Sequence, residues 1–156
     1  MRHNIGSVFL RELKRMTRRI KVHWIFKCIS TLVYAYLIYF ASSEDTSSIV
    51  LPPYVDKLIH FVEFGLLCLL ICWLFSSVTI GTKHINKIIL AIVITSLYAA
   101  SDEFHQSFTP NRFVEIFDWL ADTAGAVIAG FLWQAITHKR QIKKKLLAME
   151  KTPIKM

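Results

Sequence analysis

The sequence predicts an all-α membrane protein of four transmembrane helices with both termini cytoplasmic. Three observations predict it. The 156 residues are 54% hydrophobic and only 19% charged, with mean hydropathy +0.43, whereas soluble domains carry about 25% charge. Four apolar stretches approach the roughly 20 residues that cross about 30 Å of hydrocarbon. Lys and Arg segregate strongly along the chain, as they do around membrane spans. Five Gly and four Pro exclude a collagen-like or low-complexity chain, and the apolar content excludes disorder. Three Cys, an odd number, do not make a disulfide framework.

Residues 1–22 form a basic N-terminal segment. Arg11, Lys14, Arg15, Arg18, Arg19 and Lys21 make it longer than a signal-peptide head, and the apolar stretch behind it lacks a small-x-small cleavage site. Ile5, Val8, Phe9, Leu13 and Met16 recur among the basic residues. That pattern fits an amphipathic helix lying on an anionic leaflet, and equally a solvated lead-in that only sets topology.

The four-helix domain covers 23–137. Its first span runs from Trp24 to Ala41 and ends in the polar linker Ser42–Ser48. The second runs from Val55 to Ile80 behind Pro52-Pro53, which can open a helix but not continue one. Ile85 to Phe108 is the third, closed by Thr109-Pro110-Asn111, and Val114 to Thr137 the fourth. Residues 138–156 are a basic tail, held on anionic lipid through Lys143-Lys144-Lys145 or simply disordered.

Seventeen of the 19 Lys and Arg lie in residues 1–27, in the 81–87 loop or beyond residue 138; only Lys57 and Arg112 fall elsewhere. Positive residues stay cytoplasmic, so residues 42–54 and 107–113 are expected to face outward. This explains a net charge of +8 without nucleic acid, for which no recognition motif is present. A multi-pass protein of the cell membrane, in contact with its lipids, is the expectation.

Seven of the 11 acidic residues lie between positions 56 and 122, all in the outward half under this topology. Asp56, His60 and Glu63, spaced i, i+4, i+7, share one helix face, with Glu63 roughly 10 Å deeper than Asp56. The third span ends in Ser101-Asp102-Glu103-Phe104-His105-Gln106, and the fourth carries Asp118 and Asp122 one turn apart. Ionisable groups at such depth cost about 3 kcal/mol each unless paired or wet, and mark function by default. Pairing that merely knits the bundle is the plain alternative. Seven acids, however, meet only Lys57, Arg112 and two His on that side, and the excess negative charge invites a divalent metal, a proton or a cationic ligand.

Three blocks in this region resemble the VanZ-like family. Asp56-Lys57-Leu58-Ile59-His60-Phe61 is similar to its D-K-x-x-H-F motif, Ser101–Arg112 to its second block, and Asp118-Trp119-Leu120-Ala121-Asp122-Thr123-Ala124-Gly125 to D-x-x-x-[ND]-x-x-G. The family takes its name from a protein associated with low-level resistance to the glycopeptide teicoplanin. The resemblance implies a small multi-pass protein of the bacterial envelope and names no reaction. Two departures stand out: Asn111 where members commonly have Gly, though Asn tolerates a left-handed turn, and an apolar Phe113–Phe117 segment suited to lie against the outer leaflet.

The candidate reacting residues are Asp56, His60, Glu63, Asp102, Glu103, His105, Gln106, Asp118 and Asp122, with Arg112 and Lys57 as substrate-binding cations. Arg112 can hold a phosphate or carboxylate bidentately, and His60 or His105 can shuttle a proton near neutral pH. Asp102, His105, Asp122 and His60 are the candidate ligands of a divalent metal. Oxygen ligands favour Mg2+ or Mn2+, and imidazoles shift the choice towards Zn2+ or Mn2+. These groups suit catalysis on a lipid-linked envelope substrate such as a lipid phosphate. The alternative is a non-catalytic headgroup-binding or scaffold protein, and ranked below it a proton-coupled transporter, for which four short helices leave little room.

The remaining features have packing explanations. Ala121, Gly125 and Ala129 make a small-residue stripe that lets another helix approach, in an oligomer or against Gly65 of the same chain. Cys68 and Cys72 read as core, Trp24, Tyr34, Trp73 and Trp119 as interfacial aromatics, and Lys27 as a snorkelling cation.

Overall fold

The structure, a computed structural model, describes residues 4–44, 52, 54–77 and 84–150, with side chains from Val22 onward apart from His84 and Ile85. Its elements are α1 (Asn4–Ser42), α2 (Val55–Phe75), α3 (His84–Gln106) and α4 (Ile116–Glu150). Each contains a stretch long and apolar enough to cross a membrane, and no strand occurs among the described residues.

The bounds sharpen the expected ones. α1 is a single 39-residue helix, so the basic segment continues into the first span without a break. The side chains of its amphipathic pattern lie outside the described residues, as do most of the 42–48 linker, Pro53, Ile80, Lys83, Lys151 and Lys155. α4 does not stop near Thr137 but stays helical to Glu150, which removes disorder as the reading of residues 138–150.

The bundle is arranged for hydrocarbon. Large side chains such as Leu32, Leu97 and Phe131 are 61–68% exposed, while the interior is built from Phe64, Leu67, Cys68, Ala91, Ala99 and Ala126. Lipid tails are as apolar as a core, so small residues that let backbones approach drive association. Cys28, Cys68 and Cys72 are free thiols, the last two in the core.

α2 and α4 meet most extensively and run in the same direction; α3 also packs on α4, and α1 leans on α2 with a lighter contact to α3. A Cβ on Gly125 would stand 2.1 Å from the Phe61 carbonyl oxygen, and one on Gly65 3.3 Å from the Gly125 oxygen. The small-residue stripe is therefore used inside the chain, against α2. Polar ties complete the bundle: Tyr98 OH donates to Ala35 O (2.7 Å), Tyr34 OH to Glu63 O (3.2 Å) and Trp119 Nε1 to Ser96 O (3.2 Å). Tyr34 and Trp119 thus face neighbouring helices rather than the interface alone.

Lys27 is a correction. It is buried, and its Nζ donates to Trp73 O (2.9 Å), Ser76 Oγ (3.0 Å) and Ser77 Oγ (2.6 Å). It satisfies a carbonyl that the α2 terminus leaves open and complements the helix dipole, rather than snorkelling to headgroups.

Candidate functional site

The C-terminal ends of α1 and α3 and the N-terminal ends of α2 and α4 meet at one end of the bundle. Six of the seven acids between Asp56 and Asp122 belong to helix residues here, and Glu115 immediately precedes α4. This acidic end contains two distinct clusters along the α2–α4 seam.

The first is centred on Lys57. Its Nζ lies 2.9 Å from Asp56 Oδ2, 2.5 Å from Glu115 Oε2 and 2.6 Å from Asp118 Oδ1. Three carboxylates converge as they would on a metal, and the chain supplies its own ammonium as the cation. The Asp118 contact is an ion pair without hydrogen-bond alignment, since Oδ1 lacks a hydrogen-bond partner.

The second lies one turn further along the seam. His60 Nδ1 is 3.1 Å from Asp122 Oδ1, and Asp122 is wholly buried. Glu103, from α3, is also buried, and its Oε2 accepts from the Glu115 backbone N–H at 3.1 Å. Ligand atoms of His60, Glu103 and Asp122 all lie within 4.8 Å of one another. Lys57 and His60 on α2 thus oppose Asp118 and Asp122 on α4, and the next rung is the Gly125 contact. Parallel helices with matching one-turn spacings bring these rungs into register.

Beside the second cluster lies a cavity of about 310 Å3, lined by Asp56, His60, Glu63, Asp102, Gln106 and Arg112 together with Ile38, Ala41, Ser42 and Ile59. Asp56, His60 and Glu63 all reach it, as their shared face requires. Asp102 accepts a hydrogen bond from Gln106 Nε2 (3.0 Å) on its wall. Arg112 crosses to α1, where Nε donates to Glu44 O and Nη2 to Ala41 O, each at 3.3 Å. It therefore caps α1, and among the described residues no carboxylate stands within ion-pair distance of it.

The sequence-derived set is thus divided. Asp56, His60, Glu63, Asp102, Gln106 and Arg112 share the cavity; Lys57 and Asp118 belong to the first cluster; Glu103 and Asp122 belong to the second with His60. His105 stands apart, with Nε2 2.9 Å from Ser43 Oγ and its ring 4.4 Å from that of Tyr39. Of the four residues read as metal ligands, His60 and Asp122 adjoin each other, and the third acid grouped with them is Glu103. Sequence reasoning missed Ser42, whose buried Oγ lacks a hydrogen-bond partner on the cavity wall. It also missed the Glu115 backbone, which ties the two clusters together.

Asn111 adopts φ 61°, a left-handed turn that Asn tolerates. Phe104, Phe108, Phe113 and Phe117 are 67–80% exposed around this end.

Fold and site define a multi-pass helical membrane protein with a half-open cavity, lined in part by ionisable side chains, at one end of its bundle. Residues 5–137 match the VanZ/LLP1 family, and the chain belongs to it. It is also 31% identical over 93 residues to an uncharacterized protein of Schizosaccharomyces pombe, covering 59% of this chain and 54% of that one. The chain therefore spans about half the length of the curated relative it matches. No solved structure matches it.

Proposed function

We propose that the acidic end faces outward, with both termini in the cytoplasm, and that the cavity binds and acts on the headgroup of a lipid or lipid-linked envelope molecule. The observation that carries the reading is the cavity's mixed lining. Arg112, held on carbonyls at the α1 end, offers a fixed positive charge for a phosphate or carboxylate, while Glu63 and Asp102 offer partners for an amine. Headgroups that carry both charges are the complementary ligand. The exposed Phe104, Phe108, Phe113 and Phe117 suit the headgroup level of the membrane, as aromatic belts do. A basic N-terminal helix and a basic α4 extension suit the anionic cytoplasmic leaflet.

His60 lies on the cavity wall with Asp122 behind it, so the second cluster is where chemistry on a bound headgroup would occur. A headgroup-binding protein without turnover is the second reading, favoured by the same Arg112 and carboxylates. A link to teicoplanin resistance rests on the family's name.

The test is lipid capture. Wild type and Arg112→Gln, purified in mild detergent from the same membranes, are extracted and their lipids quantified by mass spectrometry. Charge-assisted hydrogen bonds contribute about 1.5–3 kcal/mol, so Arg112→Gln is expected to retain the enriched headgroup class about tenfold less well. Identical lipid profiles for the two proteins would overturn the reading.

A further inference from the structure

We infer that His60, Glu103 and Asp122 hold a divalent first-row transition-metal ion. Three helices each contribute one ligand atom, and the three atoms lie within 4.8 Å of one another. Nitrogen and oxygen ligands around such an ion stand about 2.0–2.2 Å from it, so small side-chain rotations close the site.

The buried polar atoms point the same way. Asp122 Oδ1 has His60 and Glu103 Oε2 has the Glu115 N–H, yet Asp122 Oδ2 and Glu103 Oε1 are left without a hydrogen-bond partner. These residues are 0% and 5% exposed. An orphaned buried acceptor costs about 1–3 kcal/mol, more when charged. An ion coordinated by these carboxylates would offset that cost.

Charge separates this cluster from its neighbour. The Asp56, Glu115 and Asp118 carboxylates already have the Lys57 ammonium at 2.5–2.9 Å. Among the described residues the second cluster has no ammonium, only an imidazole. With His60 neutral, two carboxylates and a doubly charged ion sum to zero. One imidazole with two carboxylates favours Zn2+ or Mn2+ over Ca2+ or Mg2+. Three protein ligands also leave coordination positions for water or a substrate oxygen, and His60 borders the cavity. The inference rests on the functional reading above in using that cavity, and it supplies the agent that would polarise a bound headgroup.

The experiment is elemental mass spectrometry on tag-free protein purified in detergent without chelators. It is run on wild type, Glu103→Gln, Asp122→Asn, Asp102→Asn and His105→Ala. Near-stoichiometric metal in wild type, reduced about tenfold or more in the first two variants and retained in the last two, is expected. After chelation, Zn2+ or Mn2+ alone is expected to raise the melting temperature of wild type. That measurement decides the matter if Glu103→Gln or Asp122→Asn fails to fold. Protein without metal and without a Zn2+ or Mn2+ shift overturns the site, as does loss of metal in His105→Ala rather than Glu103→Gln. Lipid capture on the same preparations keeps the two readings apart. Captured headgroup without metal overturns only the ion, and metal without captured headgroup overturns only the lipid partner.

Discussion

The two acid clusters stand one helical turn apart on the same seam and solve the same electrostatic problem differently. Around Lys57 the carboxylates of Asp56 and Glu115 are 43% and 49% exposed, and an ammonium on a flexible stem can reach all three acids. Around His60 the carboxylates are buried and the local partner is a planar ring that can face only one of them. A partly wet site at the helix ends tolerates a structural cation built into the chain. One turn deeper, the desolvation of each charge costs several kcal/mol, and two acids with one imidazole are left short of positive charge. The shallow cluster therefore reads as structural and the deeper one as the place where an exchangeable species belongs.

The largest expected effect comes from removing the seam that aligns both clusters. Gly125→Leu would drive its side chain into the Phe61 backbone, where even a Cβ stands 2.1 Å from the oxygen, and backbone cannot yield as a side chain end can. A cost of about 3 kcal/mol or more is expected. It would be seen as loss of monodisperse protein on gel filtration in detergent, with loss of metal from the deeper cluster. A well-folded Gly125→Leu protein would show that the seam is not what sets the register.

A smaller effect distinguishes the clusters. Lys57→Met leaves three carboxylates without their cation, and breaking a buried pair costs about 3–5 kcal/mol. With two of the acids half exposed, about 2 kcal/mol is the expectation, measured by thermal unfolding in detergent. Added Ca2+ or Mg2+ should restore more of this loss in Lys57→Met than it adds to wild type, because the vacated carboxylate trio offers the oxygen ligands these ions prefer. Equal responses would remove the contrast between the clusters.

The smallest effect concerns the loop that feeds both. Asn111 holds the left-handed turn leading to Arg112 and Glu115. Asn111→Gly keeps that conformation at no steric cost and gives up the interaction Asn111 makes, so stability is expected to change by no more than about 1 kcal/mol, with metal content nearly unchanged. A substantial change in metal content alone would show that the Asn111 side chain, rather than its backbone angle, positions Glu115 and through it Glu103.

Much of this protein was determined by its sequence alone. Apolar runs separated by short polar links specify four membrane helices, because in hydrocarbon each backbone polar group must be satisfied within its own helix. A rise of about 1.5 Å per residue places Asp56, Glu63, Asp102, Asp118 and Asp122 by depth. The i, i+4, i+7 spacing puts Asp56, His60 and Glu63 on one face, and the Gly65 and Gly125 positions announce a close crossing. Depth, however, is not direction. Consecutive residues on a helix point about 100° apart, so Asp102 and Glu103 share a level and face different neighbours. Asp102 turns to Gln106 and the cavity, Glu103 to α4, and His105 to Ser43 and Tyr39 of the α1 end. The rotation of each helix about its axis is fixed only when all four pack. Tertiary structure therefore decided which carboxylates meet Lys57, which meet His60, and that Arg112 and Lys27 sit on helix C-termini.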